Sequence, residues 1–234
     1  MRATVCLPTY DERLNLEPML LALRAVLREG DRVLVIDDGS PDGTGELADR
    51  LANELGFVDV LHRERKEGLG PAYIAGFRHA LAAGAELVLE MDCDFSHDPK
   101  DVPRLIAAAE DGADLVLGSR YVRGGRVGNW GLARRFISRG ASVYTGLFLR
   151  MGIKDPTGGF KCFRRAVLEQ VDLDAITPRG YAFQIEMTYR VKRAGFRVVE
   201  IPIAFVDRTA GQSKMNKGIV LEAIWAVPLL RLRR

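Results

Sequence analysis

Glu90-Met91-Asp92-Cys93-Asp94-Phe95-Ser96-His97 follows an apolar run, Leu87-Val88-Leu89, that reads as a buried strand. Side chains two apart in extended backbone point to one side, which projects Asp92 and Asp94 together from the strand's end. Paired carboxylates repel each other unless something positive sits between them. A hard divalent cation with oxygen ligands, Mg²⁺ or Mn²⁺, fits that position and bridges to the phosphates of a nucleotide. The competing explanation is a solvated acidic turn capping a helix that starts near Pro99, and an isolated D-x-D does not separate the two.

The company the motif keeps does separate them. Ala3–Leu7 is β-rich and stops at Pro8, after which Asn15 caps an amphipathic helix with Leu16, Leu20, Leu23 and Leu27 on one face and Pro18 in its first turn. Val33–Ile36 is a second strand. Ser40-Pro41 then reads as the cap and first position of a helix that carries Leu47, Leu51 and Leu55 up to Gly56. Val58–Leu61 is a third strand, Gly68–Pro71 opens a helix running to Ala83, and Leu87–Met91 is the fourth strand. A helix from Pro99 to Ala109 and a fifth strand, Asp114–Gly118, complete the series. Such alternation predicts an α/β fold with a predominantly parallel sheet and helices on both faces. Ligands of these sheets bind beyond the carboxyl ends of the strands. Pro8-Thr9-Tyr10, Asp37-Asp38 and Asp92-Cys93-Asp94 all fall at those ends. A G-x-G-x-x-G after the first strand and a G-x-x-x-x-G-K-[ST] loop are both missing, which argues against a dinucleotide dehydrogenase or a P-loop NTPase.

The second half changes character. Arg120, Arg123, Arg126, Arg134, Arg135, Arg139, Arg150 and Lys154 occur between Leu115 and Lys154 without a single Asp or Glu. Interleaved with Phe136, Tyr144, Leu147 and Phe148, on a segment that reads as helical from Ala133 to Met151, they suit an anionic, partly greasy partner. A turn-rich loop, Asp155–Gly159, precedes helices near Arg164–Val171 and Ala182–Ala194, and Phe196–Phe205 reads as a late strand pair. Three cysteines, Cys6, Cys93 and Cys162, are too widely spaced for zinc and odd in number, which points to a reducing, cytoplasmic setting. Met1-Arg2 leads straight into a strand without a signal-peptide pattern, and no apolar run approaches the length of a bilayer span.

Taken in order, P-T-Y-D-E (8–12), V-I-D-D-G-S-P-D-G-T (35–44), G-L-G-P-A-Y-I-A-G-F (68–77), D-C-D-F-S-H-D-P (92–99), G-S-R-Y (118–121), D-P-T-G-G-F-K-C-F-R-R (155–165), F-Q-I-E-M (183–187) and G-Q-S-K-M (211–215) form a specific set. The set resembles the family 2 glycosyltransferases of GT-A (Rossmann-like) fold, and within them the polyprenyl-phosphate (dolichol-phosphate) mannose synthases. That resemblance implies a GDP-mannose donor, a polyprenyl or dolichyl monophosphate acceptor, a Mg²⁺ or Mn²⁺ cofactor, and inversion at C1. It implies that Pro8, Tyr10 and Glu12 line the nucleotide pocket and that Ile36 and Asp38 hold base or ribose. Asp92 would contact the donor sugar or ribose and Asp94 the metal, with Cys93 pointing away between them. Arg120 would reach the donor or acceptor phosphate, and Arg208 and Lys214 would close over the diphosphate from a glycine-bearing loop. Arg134, Arg135 and Arg139, with Arg120, would attract the lipid phosphate. Glu186 is a spare carboxylate with a packing or positioning role.

Two other functions compete. Glucosyl or other sugar transfer from a UDP-sugar to the same lipid phosphate differs by a few pocket contacts. A non-catalytic basic module binding nucleic acid or an anionic membrane explains the arginine run but not three acidic clusters on one rim, and no nucleic-acid motif is present. Because the implied acceptor is a lipid, a peripheral position on the cytoplasmic face of a membrane is expected. Relatives use appended transmembrane helices or a helper membrane protein for this, which makes such a helper a candidate partner. Residues 1–215 read as the GT-A domain and 216–234 as an amphipathic, membrane-interfacial helix. In that tail Ile219, Leu221, Ile224, Trp225 and Leu229 supply apolar area and Arg231, Arg233 and Arg234 suit anionic headgroups.

Overall fold

The computed structural model describes residues 1–128, 130–176, 180–206, 227–228 and 230–231. In its seven-stranded main sheet, β1 (Ala3–Thr9) lies between β2 (Arg32–Asp37) and the central strand β4 (Leu87–Glu90). β3 (Val58–His62) forms one edge, and β7 (Lys161–Arg164), β5 (Leu115–Ser119) and β8 (Val198–Pro202) follow β4 on the other side. All pair in parallel except β7, which runs antiparallel to both β4 and β5. A separate parallel pair joins β6 (Arg126–Val127) to β9 (Ala204–Phe205).

Period-two alternation along the strands creates two cores. Val5, Leu7, Val33, Val35, Leu87, Leu89 and Val116 face α1 (Arg13–Arg24), α2 (Thr44–Leu55) and α4 (Val102–Glu110). Cys6, Leu34, Ile36, Val88, Leu115, Leu117 and Phe163 face the opposite way, onto α3 (Leu69–Ala82), α6 (Arg165–Gln170) and α7 (Gly180–Arg193). Each fully buried Leu, Ile, Val or Phe contributes about 1.5–3 kcal/mol of transfer free energy. The two-sided burial is what makes the strands read as continuous apolar runs.

Several local expectations change. Asn15 is not a cap: α1 begins at Arg13, and Asn15 is buried with its Nδ2 donating to Glu12 Oε2 at 2.7 Å. Ser40-Pro41 does not start α2 either. Ser40 Oγ donates to Asp37 Oδ1 instead, while Asp42 Oδ1 accepts from the Thr44 N–H at 3.0 Å where the helix begins. β1 runs through Pro8, which is tolerated because its last pairing with β4 is Cys6 opposite Glu90.

The antiparallel β7 is masked in the sequence by the charges at its two ends, Lys161 and Arg164, which leave only Cys162 and Phe163 as an apolar run. Fully buried, Lys161 Nζ donates to the Gln184 carbonyl at 3.0 Å and to Gln184 Oε1, and lies 3.9 Å from Glu90 Oε2. Burial pushes the Glu90 carboxyl up to about 7 and the Lys161 amine down to about 8, while their mutual attraction opposes both shifts. Lys161→Met, which strands a carboxylate in the core, is expected to cost about 3–5 kcal/mol, and Lys161→Met with Glu90→Leu to recover most of it. Urea midpoints measure this, and a single variant within 1 kcal/mol of wild type (roughly the worth of an exposed pair) contradicts it.

Candidate active site

The carboxyl ends of β1, β2 and β4 bring the sequence-predicted acidic groups to one rim. Asp37 is structural: it holds Ser40, and its Oδ1 accepts from Thr9 Oγ1 at 3.4 Å. Asp38 presents its carboxylate to Arg63, whose NH1 lies 2.5 Å from Asp38 Oδ1, and burial raises the Asp38 pKa against that attraction. Tyr10 lies under Lys66, with Nζ 3.9 Å from the ring centroid. Glu12 is half-buried and Pro8 flanks them, whereas the Ile36 side chain is sealed in the core under α3. Any part Ile36 plays at the rim is therefore made by its backbone. Arg63 and Lys66 follow β3, whose end carries no paired-aspartate motif to mark it as part of the rim.

Asp92 and Asp94 are placed by a turn, not by strand alternation. β4 stops at Glu90, and the backbone reverses through Phe95 at φ 58°. Asp94 is 5% exposed and its Oδ1 accepts from the Ser96 N–H at 3.0 Å. Asp92 is half-buried, 3.4 Å from the hydroxyl of Tyr73. Cys93 points away into the core, as expected. His97 stacks on Phe160 at 4.9 Å and takes the Asp92 N–H on its Nδ1 at 3.4 Å. Burial lowers the His97 pKa to about 4, so it accepts that bond as neutral imidazole.

Beside this turn sits Arg120, clamped by Asp155. Nε and NH2 of Arg120 lie 2.7 and 2.6 Å from the two Asp155 oxygens, its N–H donates to Oδ2 at 2.9 Å, and NH2 also donates to Thr157 Oγ1 at 2.9 Å. The rings of Tyr121, Trp130 and Phe205 surround the guanidinium at 5.3, 5.8 and 5.4 Å. Arg120 is thus a buried, oriented charge whose donors toward Asp155 are already engaged.

Thr157 links the clamp to α5 (Leu132–Phe148) through Ser142 at 3.3 Å, and Tyr121 donates to Ser138 at 2.7 Å. α5 therefore turns a hydroxyl-rich face inward and its apolar residues outward. Phe136 is 76% and Leu147 74% exposed, with Ile137 and Val143 also largely in solvent. Arg135 and Arg139 are exposed on the same helix, and Arg134 lies over Trp130 at 4.2 Å. Arg208 and Lys214 lie outside the described residues. Glu186 is tied to Arg190 at 2.7 Å within α7, in keeping with a packing role.

A divalent ion fits the turn. Ser96 Oγ, buried beside Asp94, has no hydrogen-bond partner among the described residues. No cluster of three His, Cys, Asp or Glu ligands forms among the described residues. An ion held by Asp92 and Asp94 would take its remaining oxygens from phosphate and water, the usual habit of Mg²⁺ and Mn²⁺.

The model of the family described as Glycosyl transferase family 2 matches residues 4–172. The chain belongs to that family. It is a glycosyltransferase, with relatives along almost its whole length. It is 49% identical to an undecaprenyl-phosphate mannosyltransferase of Micrococcus luteus, over 96% of this chain and 91% of that one. It is 47% identical to a polyprenol monophosphomannose synthase of Mycolicibacterium smegmatis, over 97% of this chain and 85% of that one. A mannosyltransferase from Pyrobaculum calidifontis in complex with GDP-Man and Mn²⁺ shares the fold at TM-score 0.65 and 19% identity, covering 99% of this chain and 73% of that one. Glucosyl-3-phosphoglycerate synthase from Mycobacterium tuberculosis, with Mn²⁺, UDP and phosphoglyceric acid, does so at TM-score 0.72 and 19% identity, over 98% and 78%. The sheet and its helices are those of a GT-A-like glycosyltransferase.

In this glycosyltransferase the Asp155 clamp should be worth far more than a surface pair. Asp155→Asn is expected to cost about 3–5 kcal/mol, because it strands a buried guanidinium. Asp59→Asn, at the half-exposed partner of Arg32, should cost no more than about 1 kcal/mol. Equal urea midpoints for the two variants would refute the ranking.

Proposed function

We propose that this glycosyltransferase transfers mannose from GDP-mannose to a polyprenyl monophosphate, with inversion at C1. The observation that carries the reading is the adjacency of an acidic, nucleotide-side turn at Asp92–Asp94 and an arginine-bearing helix, α5, that exposes apolar side chains. The names of the relatives, which include polyprenyl-phosphate mannose transferases, supply the sugar and the lipid class. Asp94 and Asp92 would hold Mg²⁺ or Mn²⁺, which when bound would supply electrostatic stabilisation of the leaving diphosphate. Tyr10, Glu12, Pro8, Asp38 and the Ile36 backbone frame the nucleoside, and Arg208 and Lys214 close over the diphosphate. Arg120, oriented by Asp155, contributes a fixed positive field between donor and acceptor, and Arg134, Arg135 and Arg139 gather the lipid phosphate.

The reaction needs no strong base. A phosphate monoester has its second pKa near 6 and is largely dianionic at neutral pH. One of its oxygens attacks C1 in line, the C1–O bond to GDP breaks, and the electron pair leaves with the diphosphate. Replacing Asp94 by Asn is expected to lower turnover by about 10²–10³-fold at limiting Mn²⁺ while the melting temperature stays within a few degrees. Near-normal turnover of Asp94→Asn with labelled GDP-mannose and polyprenyl phosphate would remove the metal assignment.

The acceptor places the enzyme at a bilayer. Among the described residues no helix is long and apolar enough to cross a membrane. In the C-terminal segment Val227 and Leu230 are buried in the core and Arg231 NH1 donates to the Phe148 carbonyl at 3.1 Å, while the apolar residues 219–225 lie outside the described residues. α5 is accordingly the surface that meets the lipid, its Phe136, Val143 and Leu147 entering the interface and its Arg135 and Arg139, with Arg150 just beyond its end, facing anionic headgroups. Phe136→Ser with Leu147→Ser should abolish flotation with anionic liposomes without changing the melting temperature. Flotation equal to wild type would move the contact elsewhere on the protein.

A further inference from the structure

Trp130 combines deep burial with an unsatisfied polar atom. The side chain is 7% exposed, and its Nε1–H has no hydrogen-bond partner among the described residues. A buried donor without an acceptor is unfavourable, and native proteins keep few of them unless something else takes the bond. Arg134 lies 4.2 Å over the indole face, Arg120 is 5.8 Å from it, and Phe205 meets it edge-on at 5.3 Å. Through Phe205, whose ring is 5.4 Å from that of His97, the indole is connected to the Asp92–Asp94 turn. Trp130 also immediately precedes Gly131, the N-cap of the seventeen-residue α5, which has no side-chain cap bond. The first amides of such a helix favour an anion. An orphaned donor, a guanidinium on its face and an uncapped helix start therefore lie together between the donor turn and the lipid-facing helix.

We propose that Trp130 is an acceptor-binding residue, its Nε1–H donating to an oxygen of the lipid phosphate that Arg134 and the start of α5 also hold. This deepens the polyprenyl-phosphate reading and rests on it. A neutral donor buried among cations suits this place: it adds a directional bond that selects an orientation of the phosphate where more positive charge would add only attraction.

The test uses both tryptophans. In Trp225→Phe, Trp130 is the only indole left, because the chain has two tryptophans. Its fluorescence is followed while farnesyl phosphate, farnesol or inorganic phosphate is added. A saturable red shift with farnesyl phosphate and none with farnesol is expected, and no response to either phosphate overturns the proposal. In parallel, Trp130→Phe keeps the ring and deletes the donor. Its KM for farnesyl phosphate should rise about ten- to a hundredfold, which is about 1.4–2.8 kcal/mol at 1.4 kcal/mol per decade. Its KM for GDP-mannose and its metal-dependent hydrolysis of GDP-mannose without acceptor should stay within about twofold of wild type. An unchanged acceptor KM, or equal rises for donor and acceptor, reduces Trp130 to packing. An emission shift with inorganic phosphate in a protein that never glycosylates farnesyl phosphate would keep the anion site and overturn the acceptor reading, so the two failures are distinguishable.

Discussion

The bidentate pair between Arg120 and Asp155 is the constraint on which the acceptor side of this enzyme depends. It joins the end of β5 to the Asp155–Gly159 loop, and through Thr157 and Ser142 it fixes α5 on the sheet. Charged groups are costly to bury, so a pair at this depth persists only with both partners and their additional bonds in place. Gly125 adds to the rigidity: a Cβ there would come within 2.6 Å of the Ser119 carbonyl oxygen, so the segment entering β6 lies directly on the backbone that carries Arg120. The position of the guanidinium, and of the aromatic rings around it, is thus set before any substrate arrives.

α5 shows how the same constraint reaches function. A helix of a water-soluble domain ordinarily buries its apolar stripe. Here Ser138 and Ser142 face inward because Tyr121 and Thr157 offer them hydroxyl partners, Thr145 is buried on the same helix, and Phe136, Val143 and Leu147 are left outside. An amphipathic helix held inside out beside an acidic turn brings together the two environments that a reaction between a nucleotide sugar and a lipid phosphate requires.

The parallel strands, the helices on both faces and the acidic rim were legible in the sequence because two-sided burial writes itself as short apolar runs, and strand ends as Asp-rich turns. Three features were not. β7 is only four residues long and carries Lys161 at a buried position, so no apolar run announced it. The turn at Asp92–Asp94 reads as extended strand, since nothing local marks Phe95 as the residue that adopts positive φ. As a run of like charge the arginines do not separate Arg120 from Arg139, and only the family resemblance assigns them different contacts, although one is sealed against Asp155 and the other stands in solvent; a carboxylate thirty-five residues away makes the difference.

The central claim is tested most directly by offering the purified enzyme labelled GDP-mannose, GDP-glucose, UDP-glucose and UDP-N-acetylglucosamine with Mn²⁺ and a polyprenyl phosphate. Label entering the lipid-extractable fraction from GDP-mannose, at a rate at least ten times that from any other donor and lost on removing Mn²⁺, is the predicted result. Equal or faster transfer from a UDP-sugar, or no transfer to lipid from GDP-mannose, would contradict it.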